Sequence, residues 1–319
     1  MTVLRAAVVG VGPFGLRHAA HWGTLPGVKL AGVYDLDRAR AEAAGQVAGC
    51  AVLRGLEEVA ERADVVSVAV PTPLHAEVAA ALLEAGRHVL VEKPPALVAR
   101  EAMALVELAH ARRCVLEVGL VERFNPAVRA LRALGVRPLL LQATRLGPYP
   151  KRAAGLDVVL DWMIHDLDLC LHLAGGAVRR VEAAGVAVVG ATLDAASARL
   201  WVGEGVCDVA AVRLAPAVRR SLRVVTADAV YEADLAARTL TVVRGARGVA
   251  ERVPVPAEDP LRAELAAFAA AARGDALPAV GAEAGARALE LAVRVREAAQ
   301  AGGAAAGVAR RSWPAPATA

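Results

Sequence analysis

The stretch Gly10-Val11-Gly12-Pro13-Phe14-Gly15 decides the fold, because it follows an apolar run, Leu4–Val9, and opens an Ala-rich amphipathic one. A strand that ends in G-x-G-x-x-G and passes into a helix is the turn that cradles a dinucleotide. Gly10 permits the tight turn, Gly12 lets the backbone approach a pyrophosphate, and Gly15 lets helix and strand pack closely. Pro13 and Phe14 complete the turn, whose N–H groups lie at the positive end of the helix dipole. In a chain holding 28 glycines the motif alone would be weak, so its place between strand and helix carries the reading.

Outward from that turn, Asp35 ends the apolar run Val28–Tyr34, about 20 residues past Gly15, where the fingerprint needs an acid. A carboxylate there accepts hydrogen bonds from the adenosine ribose hydroxyls and repels a 2′-phosphate, so NAD is expected rather than NADP. Arg38 can soften that preference by pairing with a phosphate. Residues 65–70, 88–91 and 115–118 read as further buried strands, and 15–23, 38–47, 73–85 and 97–112 as helices. Strands alternating with helices imply right-handed crossovers and a parallel sheet covered on both faces. Thr72 suits the N-cap of the third of these helices, with Pro73 at its first position and Gly86 past its end.

After residue 120 the pattern changes. Helices at 126–134 and 157–173 flank a strand at 139–145. Extended runs follow at 180–189, 197–202, 206–214, 219–226, 229–235 and 239–244, whose Val, Thr and alternating Arg favour an antiparallel sheet. Two helices, Pro260–Arg273 and 282–300, close the chain. The expected class is α/β: a doubly wound parallel Rossmann sheet over 1–120, then an α+β domain over 121–301 with a large, open, mostly antiparallel sheet for substrate and oligomerisation, then a flexible tail over 302–319. An open sheet of this kind is expected to leave an apolar face that a second subunit covers, giving a homodimer or homotetramer.

Composition excludes several classes. No apolar run reaches the roughly 20 residues that span a bilayer, and the N-terminus has no signal-peptide layout, so no membrane partner and a cytoplasmic location are expected. The basic residues behind the net charge of +4 are scattered without interleaved aromatics, so no nucleic-acid partner is expected. Four widely spaced cysteines give no metal site and no disulfide framework. Arginine outnumbers lysine 34 to 3, so each lysine stands out.

One of those lysines lies in Gly86-Arg87-His88-Val89-Leu90-Val91-Glu92-Lys93-Pro94, after the segment Val70-Pro71-Thr72-Pro73-Leu74-His75. With Gly10–Gly15, Arg17-His18-Ala19 and the closing helix Pro260–Arg273, these segments resemble the Gfo/Idh/MocA oxidoreductases over nearly the whole chain. The resemblance implies that Lys93 sits beside the nicotinamide and the reacting carbon, with Pro71, Thr72, His75 and Glu92 around the cofactor. Lys93 stands at the C-terminal end of a parallel strand, where ligands gather, against the alternative of a surface ion pair with Glu92. No role is assigned to His18 or His172.

In Asp161-Trp162-Met163-Ile164-His165, an i,i+4 spacing places Asp161 and His165 on one helix face. The family carries a matching Asp-x-x-x-His, which implies a catalytic set of Lys93, Asp161 and His165. An imidazole, with an ordinary pKa near 6.5, suits removal of an alcohol proton. Lys93 would stabilise the alkoxide, and which of the two is the immediate base stays open. The segment Val118–Pro126, with Arg145-Leu146-Gly147-Pro148, resembles the subgroup related to UDP-N-acetylglucosamine 3-dehydrogenases. That implies a nucleotide-sugar substrate, with Arg123, Asn125, Lys151 and Arg152 as candidates for its hydroxyls and diphosphate. Asn125 reads equally as the cap of the helix begun by Pro126. A dehydrogenase of a free sugar or inositol-like polyol, and a non-catalytic NAD-binding regulator, are the alternatives.

Overall fold

The computed structural model describes residues 3–149, 155–245 and 248–302. They fall into two compact units, residues 1–135 with 253–290, and residues 136–252 with 291–319. In the first unit, β1 (Leu4–Val9), β2 (Val28–Tyr34), β3 (Ala51–Val52), β4 (Val65–Val68), β5 (His88–Glu92) and β6 (Leu116–Gly119) form one parallel sheet. Its order is β3-β2-β1-β4-β5-β6, the doubly wound arrangement whose strand order reverses beside β1. Its crossovers carry α1 (Pro13–Trp22), α2 (Arg38–Ala48), α3 (Leu56–Arg62), α4 (His75–Glu84) and α5 (Ala99–Arg112), and α6 (Pro126–Ala133) follows β6. Strand β4 is buried at every residue, as a sheet covered on both faces requires.

Two local expectations change. Residues Thr72–Leu74 form a 3₁₀ turn whose Thr72 carbonyl accepts the His75 N–H, so α4 begins at His75 and the Thr72 side chain caps nothing. The short pair β3 and α3 was outside the sequence reading, because two residues of strand are too few to show a period.

The second unit carries an eight-stranded sheet. Its strands are β7 (Leu140–Leu146), β8 (Val178–Val186), β9 (Ala195–Val202), β10 (Gly205–Val212), β11 (Arg219–Val225), β12 (Ala229–Asp234), β13 (Thr239–Arg244) and β14 (Glu251–Val253). The order β14-β13-β12-β11-β7-β10-β9-β8 has a central parallel pair, β7 with β10, flanked by antiparallel pairs from β13 to β7 and from β10 to β8. Helix α7 (Ile164–Ala174) covers one face, over Leu141, Ala143, Ala198, Leu200, Cys207 and Val209. The other face differs from the apolar one expected. There β9, β10, β11 and β12 show Ser197, Arg199, Asp208, Ser221, Arg223 and Glu232, around a concavity of about 930 Å³. Arg199 pairs with Asp208 at 2.7 Å and Arg223 with Glu232 at 2.6 Å. Period-2 alternation puts the small apolar residues on the helix side and the charges on this one.

Helix α8 (Pro260–Arg273) clusters with the first unit, while α9 (Ala282–Ala301) is divided between the two at residue 290. The expected second domain, 121–301, includes α8. Leu261, Leu265, Phe268 and Ala269 of α8 instead enter the core that β1 and α1 build from Ala6, Val8, Ala19 and Trp22. Phe268 meets Trp22 edge to face at 6.3 Å between ring centroids.

Candidate active site

The glycine turn is shaped by steric necessity. Gly10 has φ +86°, and a Cβ on it would lie 2.6 Å from the Ala69 backbone on β4's exit. A Cβ on Gly15 would lie 1.9 Å from the Gly10 carbonyl oxygen. Gly12 differs, since a Cβ there meets nothing within 4 Å. That open space lies at the N-terminus of α1, which has Pro13 in its first turn and no side-chain cap, so its N–H groups are left for a ligand. The cradle fits a pyrophosphate.

Asp35 lies just past β2, its side chain only 10% exposed. Its carboxylate accepts N–H bonds from Val11 and Asp37, each at 2.9 Å, which aims it across the turn. Arg38 does not reach it. Arg38 pairs with Glu42 at 2.8 Å, the i,i+4 neighbour on the outer face of α2, while Arg40 lies 3.5 Å from Asp35. Arg40, two residues further round α2, comes back toward the strand end.

At the C-terminal end of β5, Glu92 is buried, Lys93 is half-buried, and the Lys93–Pro94 peptide is cis. Glu92 is therefore no surface partner for the lysine. One of its oxygens accepts the Lys93 backbone N–H at 3.3 Å, and the other lies 3.2 Å from His18 Nε2. Gly119, opposite Glu92 across the β5–β6 pair, has no room for a Cβ, which would stand 2.5 Å from that carboxylate. His75 is buried, with Nδ1 2.7 Å from the Pro94 carbonyl oxygen and Nε2 2.8 Å from that of Val70. It thus ties the exit of β4 to the Lys93–Pro94 turn. Burial pushes its imidazole below the ordinary value, and the neutral ring donates to one of those carbonyls. Pro71 is exposed and Thr72 half-buried beside it, on the same edge as the glycine turn.

In the second unit, Asp157 accepts the N–H groups of Val159 and Leu160 at 2.9 and 3.0 Å and so starts the next turn. That turn, Val159–Met163, is a π-helix running into α7, where the sequence predicted a single regular helix. Asp161 lies in the π turn and His165 in the first turn of α7, both half-buried. π turns are frequent at functional sites. Trp162, beside Asp161, takes the space over Gly147, where a Cβ would stand 2.9 Å from its ring.

Two buried ion pairs hold this segment. Arg145 on β7 grips Asp166 through Nε and Nη2 at 2.8 and 2.9 Å. Arg213 bonds Asp194 at 2.8 Å and the Leu156 carbonyl at 2.7 Å, while Val158 N–H donates to Leu193. Burial would raise the Asp194 carboxyl, but N–H groups of Val189 and Val188 and the Arg213 guanidinium hold it below the ordinary carboxylate range.

The substrate candidates separate. Asn125 is the cap of α6, with its Oδ1 accepting Ala127 N–H at 3.2 Å and its Nδ2 donating to Glu122 at 3.0 Å, both buried. Arg123 donates to the Ala279 carbonyl at 3.3 Å. Lys151 and Arg152 lie outside the described residues. Among the described residues no group of histidines, cysteines and carboxylates is placed to hold a metal ion, and no helix is long and apolar enough to cross a membrane. Sequence reasoning missed His18, Ser67, Glu117 and Glu264, because single polar residues inside apolar runs carry no periodic signal.

Comparison with known proteins extends over nearly the whole chain. Residues 4–120 match the GFO_IDH_MocA oxidoreductase family, described as having an NAD-binding Rossmann fold. A UDP-N-acetylglucosamine 3-dehydrogenase of Acidithiobacillus ferrooxidans is 35% identical over 94% of this chain and 99% of its own. Its solved structure superposes with a TM-score of 0.90 over 95% of this chain and 99% of that one. A dTDP-3,4-didehydro-2,6-dideoxy-alpha-D-glucose 3-reductase of Streptomyces violaceoruber is 31% identical over 85% of each chain.

Proposed function

The chain belongs to the Gfo/Idh/MocA oxidoreductases and is an NAD-dependent enzyme acting on CH–OH groups, and from that premise we propose that it oxidises UDP-N-acetylglucosamine at the 3-hydroxyl. The observation that carries the substrate is the end-to-end match to an enzyme named for that reaction. The second relative is also named for chemistry at position 3 of a nucleotide-activated hexose.

NAD, when bound, accepts the hydride from the ring carbon. Gly10, Gly12 and Gly15 would take its pyrophosphate on the α1 N-terminus, and Asp35 would accept its ribose hydroxyls. Pro71, Thr72, Glu92 and Lys93 occupy the strand ends on the same edge of the sheet. His75 supports that edge through its contact with the Pro94 carbonyl. Lys93 stabilises the developing alkoxide, and His165 removes the hydroxyl proton, with Asp161 binding a hydroxyl or orienting the imidazole. Lys151, Arg152 and Arg123 serve the diphosphate.

A second copy of the chain, forming a homodimer or homotetramer, is the proposed occupant of the charged sheet face. Its Arg–Asp and Arg–Glu pairs make the face complementary to itself, as a two-fold interface requires. The substrate reading is tested by NAD reduction with a panel of UDP-sugars, free sugars and inositols. Reduction with UDP-N-acetylglucosamine is expected. Activity confined to free polyols would reject the nucleotide sugar.

A further inference from the structure

Helix α1 carries Phe14, His18 and Trp22 on one face, each four residues after the last. His18 and Trp22 are fully buried. The imidazole of His18 meets the ring of Phe14, in the glycine turn, edge to face at 5.2 Å between centroids. A ring enclosed this way is costly unless its nitrogens are paired, and the reaction as described gives this one no part.

Its polar neighbours form a directed series. Trp22 Nε1, which can only donate, gives its hydrogen to Ser67 Oγ on β4 at 2.8 Å. Ser67 Oγ lies 3.0 Å from His18 Nδ1 and makes no third hydrogen bond among the described residues. Its hydroxyl therefore donates to Nδ1, since the opposite direction would leave a buried O–H unpaired. That puts the ring proton on Nε2. Nε2 stands 3.2 Å from Glu92 Oε1, and neither buried atom has a hydrogen-bond partner elsewhere among the described residues. Their approach is off line for a full hydrogen bond, yet a donor and an acceptor buried this close have no alternative to each other. The other Glu92 oxygen accepts the Lys93 backbone N–H at 3.3 Å. On the β6 side the carboxyl fills the space that a Cβ on Gly119 would need.

We propose that His18 is a positioning residue for the reaction: it holds Glu92 through its Nε2–H and, through Glu92, the Lys93 backbone at the end of β5. The inference rests on Lys93 as the lysine at the reacting centre. An ammonium stabilises an alkoxide only within hydrogen-bond reach of it, and a displacement of about 1 Å costs about a hundredfold in rate. Without the His18 donor one Glu92 oxygen is buried with no partner, and the carboxyl that fixes the Lys93 N–H is free to turn. Trp22 and Ser67 set the tautomer of the imidazole, and Phe14 packs against it. The helix that opens on the glycine turn thus also braces the strand end that bears the lysine. A histidine kept only to fill the core would pair with Ser67 and leave Nε2 against apolar atoms.

Nitrogen-15 NMR of the histidine rings, on the full chain without substrate, reads the proton, with the His18 signals assigned through the contact with the Phe14 ring. A proton on Nε2 is expected. A His18 ring protonated on Nδ1 alone overturns the inference whatever the substrate proves to be. Kinetics supply the second readout, from two amide variants. His18→Gln carries its amide nitrogen to the place of Nε2, keeps the donor to Glu92, and is expected to hold kcat within about threefold. His18→Asn reaches Ser67 but not Glu92. It should lower kcat about tenfold or more, the scale of one hydrogen bond to a charged group, with KM for NAD unchanged. Equal kcat in the two variants, or a change confined to KM for NAD, overturns the positioning role. Loss of all activity in Lys93→Met, measured alongside, tests the lysine assignment separately.

Discussion

At the scale of single residues, the glycine turn makes separable predictions. A methyl on Gly15 would strike the Gly10 carbonyl at 1.9 Å, whereas one on Gly12 meets only open space. Gly15→Ala is therefore expected to lower the melting temperature. Gly12→Ala should leave it unchanged and raise KM for NAD, because only the ligand occupies that space. Thermal melts beside NAD titration check both. Asp35→Ser should raise KM for NAD about tenfold, the cost of one ribose contact, and allow some use of NADP, as Arg40 is then released toward a 2′-phosphate. Arg40→Ala in that background should remove the NADP use. The glycines, Asp35 and Lys93 were legible in the sequence because each has a fixed offset from a strand end. Arg40 was not singled out, because two positions on the same exposed turn are equivalent until the fold shows which one faces β2. Asn125 had two readings, and its bonds to Ala127 and Glu122 favour the cap.

At the scale of elements, the segment bearing Asp161 and His165 depends on partners far away in sequence. Arg145 and Asp166 are both buried, so Asp166→Asn removes the charged acceptor that the guanidinium grips through two N–H groups and is expected to cost about 3–5 kcal/mol. The double variant Arg145→Met with Asp166→Leu should recover most of that loss. Urea unfolding of the three proteins measures it, and a double variant no more stable than the single one would contradict the argument. Asp157→Ala removes the acceptor for two N–H groups at the start of the π turn, at a cost of about 1 kcal/mol. Periodicity placed a helix here correctly, because its apolar spacing is close to the same in both helix types. Ahead of the π turn Arg213 clamps Leu156 and Asp194, and no local pattern records that.

At the scale of the whole molecule, the alternation of strands and helices made the first sheet readable, and period-2 runs made the second. The place of α8 was not readable, since an amphipathic helix shows that it has an apolar face but not which core receives it. On β6, buried Glu117 gives stability a pH dependence. Burial raises Glu117 from 4.5 to about 7, so its contribution is present in full below about pH 4.5 and is lost as pH rises through about 7. Glu117→Gln should then be more stable than the wild type at high pH, by roughly 3 kcal/mol for one such group, with the difference vanishing in acid. Urea midpoints across that range check the sign. The charged sheet face predicts a dimer or tetramer that weakens with salt, and a monomer by light scattering would contradict it. In the proposed reaction, hydride passes from the sugar's third carbon to NAD at Lys93. The direct measurement is turnover of UDP-N-acetylglucosamine deuterated at that carbon, with the wild type and Lys93→Met. Deuterium appearing in the reduced nicotinamide, with a slowed rate and no turnover in the variant, is the predicted result. Reduced nicotinamide without deuterium, or full turnover in Lys93→Met, would contradict it.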